Sequence, residues 1–286
     1  MKFFENFKFK EENSMRFYTM FFTTLALSVL LMTGCGSDDS SDLLDSITGP
    51  GAALGPATVN LGTAANYALL AKDSIDAVLA TSVTGDVGIS PAAASYITGF
   101  SLVLDSTEDF STSIYVTGKI YAADYTGNGA GGTPGQTTSN LTTAVSNMEA
   151  AYTDASTRPT PDSTDLGAAG DIGGLNFVPG LYKFTTAVSM TSDITLTGDS
   201  NDVWIFQIAG TFNMSNAVMI HLAGGALPQN IFWVSAGAAT LGTTAHFEGI
   251  LLSQTAITLG TGASVNGRLL AQSALTLGDT TVVVEP

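Results

Sequence analysis

Residues 238–284 read AATLGTTAHFEGILLSQTAITLGTGASVNGRLLAQSALTLGDTTVVV and return to Thr-Leu-Gly every 18 residues, at 240–242, 258–260 and 276–278. The same interval separates three apolar residues, Phe247, Val265 and Val283. A fixed period is typical of repeat architectures, in which each unit buries its apolar residues only by stacking on its neighbours. The stretch therefore predicts a stack of similar units rather than an ordinary globular core.

The length of the period fits one coil of three short strands joined by tight turns, because a strand residue rises about 3.3 Å and stacked strands lie about 4.8 Å apart. Side chains alternate along a strand. We therefore expect Ile257 and Leu259 to point inward and Thr258 to face solvent. A corner with positive φ, which glycine adopts at little cost, is predicted at Gly242, Gly260 and Gly278.

The composition restricts the classes of function. Of the 286 residues, 45% are hydrophobic and only 12% are charged, and the net charge is −16. Proteins that bind nucleic acid carry basic patches, so we expect no nucleic-acid partner. The single cysteine excludes an intramolecular disulfide, and the two histidines weigh against a multi-histidine metal site. We predict neither a metal nor a cofactor.

The N-terminus has the features of a targeting segment. Residues 20–32, MFFTTLALSVLLM, form an apolar run of 13 residues, whereas a membrane-spanning helix needs about 20. This length is typical of a signal peptide. The segment Met32-Thr33-Gly34-Cys35 resembles a bacterial lipobox, which predicts removal of residues 1–34 and a lipidated Cys35. An ordinary secretory peptide is the alternative, and the start could instead be Met15.

The residue after the cysteine bears on location. Position 36 is Gly rather than Asp, which by resemblance to Gram-negative sorting rules favours the outer membrane over retention at the inner one. The predicted location is extracellular or outer-membrane-anchored, as a lipoprotein of a Gram-negative bacterium. The only membrane contact would be the lipid, and residues 35–56 would form a flexible tether.

Residues 57–286 are predicted to form one β-solenoid domain with a single long helix. The helix is expected over 138–157, with Ser139 as its N-cap and with Pro159 and Pro161 ending it. Its apolar positions recur at helical spacing and predict a buried face: Leu141, Ala144, Val145, Met148, Ala151, Tyr152 and Ala155. The irregular segment 101–136 is a candidate cap for an open end of the stack.

Earlier strands can be aligned on the C-terminal repeat so that small or hydroxyl residues share one column. The aligned segments are Thr186-Ala187-Val188-Ser189, Gly210-Thr211-Phe212-Asn213, Gly237-Ala238-Ala239-Thr240, Thr255-Ala256-Ile257-Thr258 and Ser273-Ala274-Leu275-Thr276. From periodicity alone, these residues could be strand formers on a solvated side.

The chain resembles the microbial ice-binding protein family, secreted by bacteria, fungi and algae of cold habitats. The resemblance runs from VNLGTAANYALLA to TVVVEP and includes SVTGDVGISP, VPGLYKF and VWIFQIAGTFN. It implies a right-handed triangular β-solenoid with a long helix alongside, in which the N-terminal coil stacks on the C-terminal one. That fold class is dominated by β-strands.

The resemblance also implies an ice-binding face that carries Thr-Ala/Gly-x-Thr/Asn. Residues 255–258 match this pattern in full, 273–276 and 186–189 match with Ser for Thr, and the other two segments depart at the first position. The expected ice-binding residues are Thr186, Ser189, Thr211, Asn213, Thr240, Thr255, Thr258, Ser273 and Thr276. The implied partner is the surface of an ice crystal, and the protein is expected to act as a monomer without catalytic residues.

Two other functions stay open from the residues alone. A polysaccharide-active β-helix enzyme would need convergent acids, but Asp162, Asp165 and Asp171 are predicted to be turn residues. Glu248 has Asn266 as its repeat counterpart, and His221 and His246 are expected to lack a neighbouring Ser or Cys nucleophile. A cell-surface adhesin or structural lipoprotein is the second alternative. A calcium ion could be bound by Asp199, Asn201 and Asp202, but we expect these three residues to form a plain turn.

Overall fold

The computed structural model describes residues 54–78, 80–127 and 134–286. The predicted signal peptide, Cys35 and nearly all of the predicted tether lie outside these residues. The described residues consist of short strands, three 3-10 turns and one helix, α1, Gln136–Thr157. In chain order the strands are β1 Tyr67–Ala71, β2 Ser74–Ala77, β3 Ser82–Thr84, β4 Asp86–Ile89, β5 Ile97–Thr98, β6 Val103–Leu104, β7 Ser111–Ser113, β8 Val116–Ala122, β9 Ser163–Thr164, β10 Asn176–Phe177, β11 Gly180–Phe184, β12 Val188–Met190, β13 Ile194–Thr197, β14 Trp204–Ile208, β15 Phe212–Met214, β16 Ile220–Ala223, β17 Ile231–Ser235, β18 Ala239–Leu241, β19 His246–Ser253, β20 Ile257–Leu259, β21 Ser264–Ala271, β22 Ala274–Leu277 and β23 Val282–Val284.

The strands stack in parallel, and the 18-residue period sets their register. Thr240 pairs with Thr258 and Thr258 with Thr276, while Phe247 pairs with Val265 and Val265 with Val283. Each coil supplies one strand to each of three stacks. The first stack is β11, β14, β17, the second half of β19, the second half of β21, β1, β4 and the end of β8.

The second stack is a separate seven-stranded sheet in the order β12-β15-β18-β20-β22-β2-β5, which we call the threonine sheet. The third stack begins with β10, β13 and β16 and continues through the first halves of β19 and β21, then β23, β3 and the start of β8. The prediction of an all-β fold with one helix is confirmed.

The order of coils in space differs from their order in the chain. Strand β1 inserts between β21 and β4, with Leu69 opposite Leu269, and β2 pairs with β22. The N-terminal coils therefore extend the stack beyond the C-terminal coil, as the family resemblance implied. Arg268 stabilises this junction, because its guanidinium donates to the Ala65 carbonyl at 2.9 Å and to Glu285 Oε1 at 2.6 Å.

Irregular segments pair with end strands at both ends of the stack. Strands β6 and β7 form an antiparallel pair, and β7 also pairs antiparallel with β8, the last strand at that end. At the other end, β9 pairs with β11, β10 pairs with β13, and Asp171 forms a bridge with Ser189. These segments pair backbone groups of β8, β11 and β13 that would otherwise be open edges.

The helix differs from the prediction at its start. It begins at Gln136, the N-cap is Gly135 with φ of 75°, and Ser139 lies inside the first turn. Leu141, Ala144, Met148, Ala151 and Ala155 are fully buried as predicted, while Val145 and Tyr152 are partly buried. This face packs on the outer side of the first stack and buries residues such as Ile205 and Phe232.

Among the described residues, no helix combines the length and the apolar character needed to cross a bilayer.

The predicted reason for the corner glycines is wrong. Gly242, Gly260 and Gly278 do not have positive φ; that conformation falls two residues later, at Thr244, Gly262 and Thr280. What requires glycine is the approach of the adjacent coil. A Cβ on Gly260 would lie 2.6 Å from the backbone nitrogen of Thr243, and one on Gly278 would lie 2.7 Å from that of Thr261.

Candidate functional site

The threonine sheet presents one row of outward side chains in register across seven strands. Its short strands alternate buried and outward positions; in β20, for example, Ile257 and Leu259 are buried and Thr258 is exposed. The row consists of Ser189, Asn213, Thr240, Thr258, Thr276, Asp76 and Thr98. The predicted alignment of the five C-terminal segments is therefore the observed register.

The other predicted residues lie beside this row on the same sheet. Thr186, Thr255 and Ser273 occupy the first position of their segments, at the corner that precedes the strand, and Thr211 stands two residues before Asn213. Thr186, Thr211 and Thr255 are exposed, whereas Ser273 is partly covered. The positions equivalent to Thr211 hold small residues, namely Ala187, Ala238, Ala256 and Ala274.

The hydroxyls at the centre of the row are unpaired within the described part of the chain. Thr240, Thr258 and Thr276 have no side-chain hydrogen bond to any described residue, so their hydroxyls are available to water or a ligand. Asn213 donates its amide to Thr211 Oγ1 at 3.2 Å. The methyl groups of the threonines stand beside these hydroxyls, and the β-branch restricts χ1. The centre is thus a rigid, uncharged and amphipathic surface.

Sequence reasoning missed the contribution of the N-terminal coils to the row. Asp76 lies opposite Thr276, and its carboxylate accepts hydrogen bonds from Ser74 Oγ and Thr98 Oγ1, each at 2.8 Å. The available signal was the alternation in Ser74-Ile75-Asp76, which repeats that of Ala274-Leu275-Thr276. The row therefore carries one fixed carboxylate toward one end.

The aspartates that were predicted to be turn residues connect the end segment to the first full coil. Asp162 accepts the Leu181 N–H at 2.8 Å. Hydrogen bonds from the backbone N–H and the hydroxyl of Thr185 lower the pKa of Asp165, and the Thr191 hydroxyl, with backbone N–H groups, lowers the pKa of Asp171. These carboxylates are occupied by structural hydrogen bonds and do not converge on a cleft.

The expectation that His246 has no neighbouring serine is wrong. His246 and Ser264 are direct partners in the third stack, with 2.8 Å between Nδ1 and Ser264 Oγ. Glu248 Oε1 lies 2.9 Å from His246 Nε2, and Glu248 pairs with Asn266 as predicted. A serine, a histidine and a nearly buried acid therefore meet on β19 and β21, but none of the three lines a cleft described in this structure.

His221 and Asp202 have structural partners. His221 Nε2 lies 2.9 Å from Asp193 Oδ2, on the same stack as His246. Asp202 accepts the N–H groups of Leu54 and Asp199, so it stabilises the turn that was weighed as a calcium site. In the part of the chain that the structure describes, no three His, Cys, Asp or Glu side chains are grouped as metal ligands.

The chain is similar in sequence to known ice-binding proteins. An ice-binding protein of Flammulina populicola is 50% identical over 203 residues, covering 71% of this chain and 78% of the relative. An ice-binding protein of Flavobacterium frigoris is 51% identical over 197 residues, covering 69% of this chain and 66% of the relative.

The fold is also similar to solved structures of ice-binding proteins. The crystal structure of a glycosylated ice-binding protein from an Arctic yeast matches with a TM-score of 0.75 and 44% identity, over 80% of this chain and 94% of that one. A domain of a Shewanella frigidimarina ice-binding protein matches with a TM-score of 0.73 and 27% identity, over 81% of this chain and 99% of that one. The model of the family described as Ice-binding-like matches residues 69–283. This chain therefore belongs to the ice-binding-like family.

Proposed function

We propose that the protein binds ice through the threonine sheet and that its adsorption produces thermal hysteresis and inhibits ice recrystallisation. The observation that carries the proposal is the register of Asn213, Thr240, Thr258 and Thr276, which are exposed in four consecutive strands. Relatives at about half identity are ice-binding proteins, and their family is one of ice-binding proteins rather than enzymes.

The surface suits a solid that differs from the solvent only in the order of its water molecules. Threonine hydroxyls can hold water by hydrogen bonds, and the adjacent methyl groups order the water between them. Because χ1 is restricted by the β-branch, these side chains lose little rotamer entropy on docking. With six intervals of about 4.8 Å between seven strands, the row is roughly 29 Å long. Adsorbed protein makes ice grow as curved fronts between anchors, which lowers the local freezing point.

The other two stacks are less suited to binding ice. The helix α1 covers the outer side of the first stack. The third stack carries the histidine–carboxylate pairs His221–Asp193 and His246–Glu248, and carboxylate charges hold water in their own geometry. The threonine sheet is thus the one stack that is both uncovered and nearly free of charge among the described residues.

Finer features of the fold belong to the same proposal. The chain would wind right-handedly with a three-sided cross-section, because parallel strands are almost always joined by right-handed crossovers. The domain would span residues 57–286, with 101–136 and α1 as additions to the coils, and it would act as a monomer.

A matched pair of variants tests the proposed face. Thr258→Tyr places a large ring at the centre of the row, and Thr84→Tyr places the same ring at an exposed position of the third stack. We expect Thr258→Tyr to lose most of the thermal hysteresis and Thr84→Tyr to retain it, with similar melting temperatures. Hysteresis that is unchanged in Thr258→Tyr and lost in Thr84→Tyr would move the site to the third stack.

We also propose that the mature protein is a lipoprotein attached through Cys35 and a tether over residues 35–56, at the outer membrane of a Gram-negative bacterium. Support comes from the lipobox-like segment before the only cysteine. Palmitate labelling of bacteria that express the full chain or Cys35→Ser is the test. Label in both chains or in neither would contradict attachment at Cys35 and favour release by an ordinary secretory peptide. If the anchored form holds cells to ice, it would also serve as an adhesin.

A further inference from the structure

A cleft on the helix side of the molecule is separate from the threonine sheet. It has a volume of about 320 Å³ and lies between the first turns of α1, the 3-10 turn Gly62–Asn66 and the strands β1, β4 and β8. Ligand sites commonly occupy about 300–1,000 Å³, so the cleft is large enough for one small molecule. Its lining includes Thr63, Asn66, Tyr67, Asp86, Tyr121 and Asn140.

Two tyrosines form perpendicular walls of the cleft. The ring planes of Tyr67 and Tyr121 meet at 83°, with 6.1 Å between centroids. Neither phenol hydroxyl has a hydrogen-bond partner among the described residues. Burial, together with the Asp86 carboxylate, raises the pKa of each tyrosine to about 12. Both phenols are therefore neutral at ordinary pH, and each can donate one hydrogen bond to a ligand.

The remaining polar groups are neutral amides and one acid. Asp86 Oδ1 accepts the Lys119 N–H at 2.7 Å, which leaves Oδ2 unpaired by any described residue. Asn140 accepts the Gln136 amide at 2.6 Å through Oδ1, which leaves its own amide donors available. The lining contains no lysine or arginine, and the whole chain has a net charge of −16. An anionic ligand would therefore be repelled.

We propose that this cleft binds one pyranose unit of a neutral sugar. The C–H face of a pyranose would pack on a tyrosine ring, since aromatic side chains offer an apolar face and a polar tip. Asp86 would accept hydrogen bonds from the sugar hydroxyls, while the phenols and amides would donate hydrogen bonds to the sugar oxygens. Because the cleft and the threonine sheet occupy different stacks, the protein could hold a glycan and an ice surface at the same time. This inference does not depend on the proposed ice binding.

Saturation-transfer NMR and a titration on the full chain test the proposal, with methyl β-D-glucopyranoside and methyl β-D-galactopyranoside as probes and glucuronate as the charged control. We expect saturation transfer to at least one glycoside and none to glucuronate. Tyr121→Ala removes one wall and should weaken the affinity about tenfold. Tyr152→Ala is the matched control, because Tyr152 is a partly buried tyrosine that lies outside the cleft. If Tyr121→Ala does not fold, Asn140→Ala at an exposed helix position tests the same site.

Comparing a trisaccharide with monosaccharides distinguishes a polysaccharide from a free sugar as the source of the ligand. A trisaccharide such as maltotriose that binds more tightly than the monosaccharide glycosides would identify a polysaccharide chain, and equal affinity would identify a free sugar. Thr258→Tyr should bind the glycoside as the parent does, which separates this test from that of ice binding. The proposal is overturned if neither glycoside binds, if glucuronate binds equally well, or if Tyr121→Ala and Tyr152→Ala bind alike.

Discussion

His246 Nε2 lies 2.9 Å from Glu248 Oε1, two residues along the same strand. Glu248 is nearly buried, and its second oxygen, Oε2, has no hydrogen-bond partner among the described residues. The hydrogen bond to Glu248, opposed by partial burial and reinforced by the carboxylate charge, raises the pKa of His246 above its usual range. The contribution of this pair to the stability of the fold therefore depends on pH.

The sign of this coupling follows from linkage. A histidine whose pKa is higher in the folded state stabilises the fold fully below the pKa of the unfolded chain, about 6.5, and that contribution disappears as pH rises through the folded pKa. We predict that His246→Gln is most destabilising near pH 5.5 and that its difference from the parent shrinks by pH 8.5. Urea unfolding at the two pH values measures this. A difference that grows with pH would contradict the assignment.

The aromatic column inside the coils should dominate the stability of the stack. Trp233 is fully buried and lies against Phe206 with 3.9 Å between ring centroids and 8° between planes. Its indole N–H donates to the Glu248 carbonyl at 3.2 Å. We predict that Trp233→Ala lowers the free energy of unfolding by about 3–5 kcal/mol, as measured by urea denaturation. Trp233→Phe keeps a ring and should lower it less; equal losses would show that the cavity is not the cause.

One mostly buried cation reinforces the strand pairings that join the N-terminal and C-terminal coils. Arg268 has a mostly buried side chain and bonds both the Ala65 carbonyl and Glu285 Oε1. Arg268→Met keeps much of the apolar stem but removes these bonds, so we predict a loss of about 1–3 kcal/mol in the free energy of unfolding. Lys72→Met is the control, because its ammonium bonds only Glu149 among the described residues and both side chains are partly exposed. Equal losses of unfolding free energy in the two variants would show that Arg268 stabilises the fold no more than a partly exposed ion pair does.

The sequence predicted those parts of the fold that local periodicity determines. An interval of 18 residues fixes which residues meet in adjacent coils, so Thr258 could be placed beside Thr240 and Thr276 without a structure. Alternation along the strand then identified the inward positions of Ile257 and Leu259. The apolar spacing of Leu141, Ala144 and Met148 likewise predicted the buried face of the helix.

Features that depend on distant parts of the chain were not predictable in this way. Asp76 joins the row because β2 pairs with β22, about 200 residues away in sequence. The alternation in Ser74-Ile75-Asp76 indicates a strand, but it does not identify the strand that pairs with it. The contact between His246 and Ser264 was within reach, since the two residues are one period apart. Gly260 was placed at a corner correctly, but the steric demand of the neighbouring coil cannot be read from a single repeat.

The last prediction separates the two chemical features of a threonine on the proposed ice-binding face. Thr258→Val keeps the shape and removes the hydroxyl, whereas Thr258→Ser keeps the hydroxyl and removes a methyl group. Thr258 is exposed and has no side-chain partner among the described residues, so neither change should alter the free energy of unfolding by more than about 0.5 kcal/mol.

If ordered water requires both the methyl and the hydroxyl groups, each substitution should reduce thermal hysteresis, and the same pair of changes at Thr84 should leave it unchanged. A loss confined to Thr258→Val would assign the binding to hydrogen bonds, and a loss confined to Thr258→Ser would assign it to the methyl row. Full hysteresis in both variants at Thr258 would show that this residue does not contact ice, and the centre of the row would then lose its proposed role.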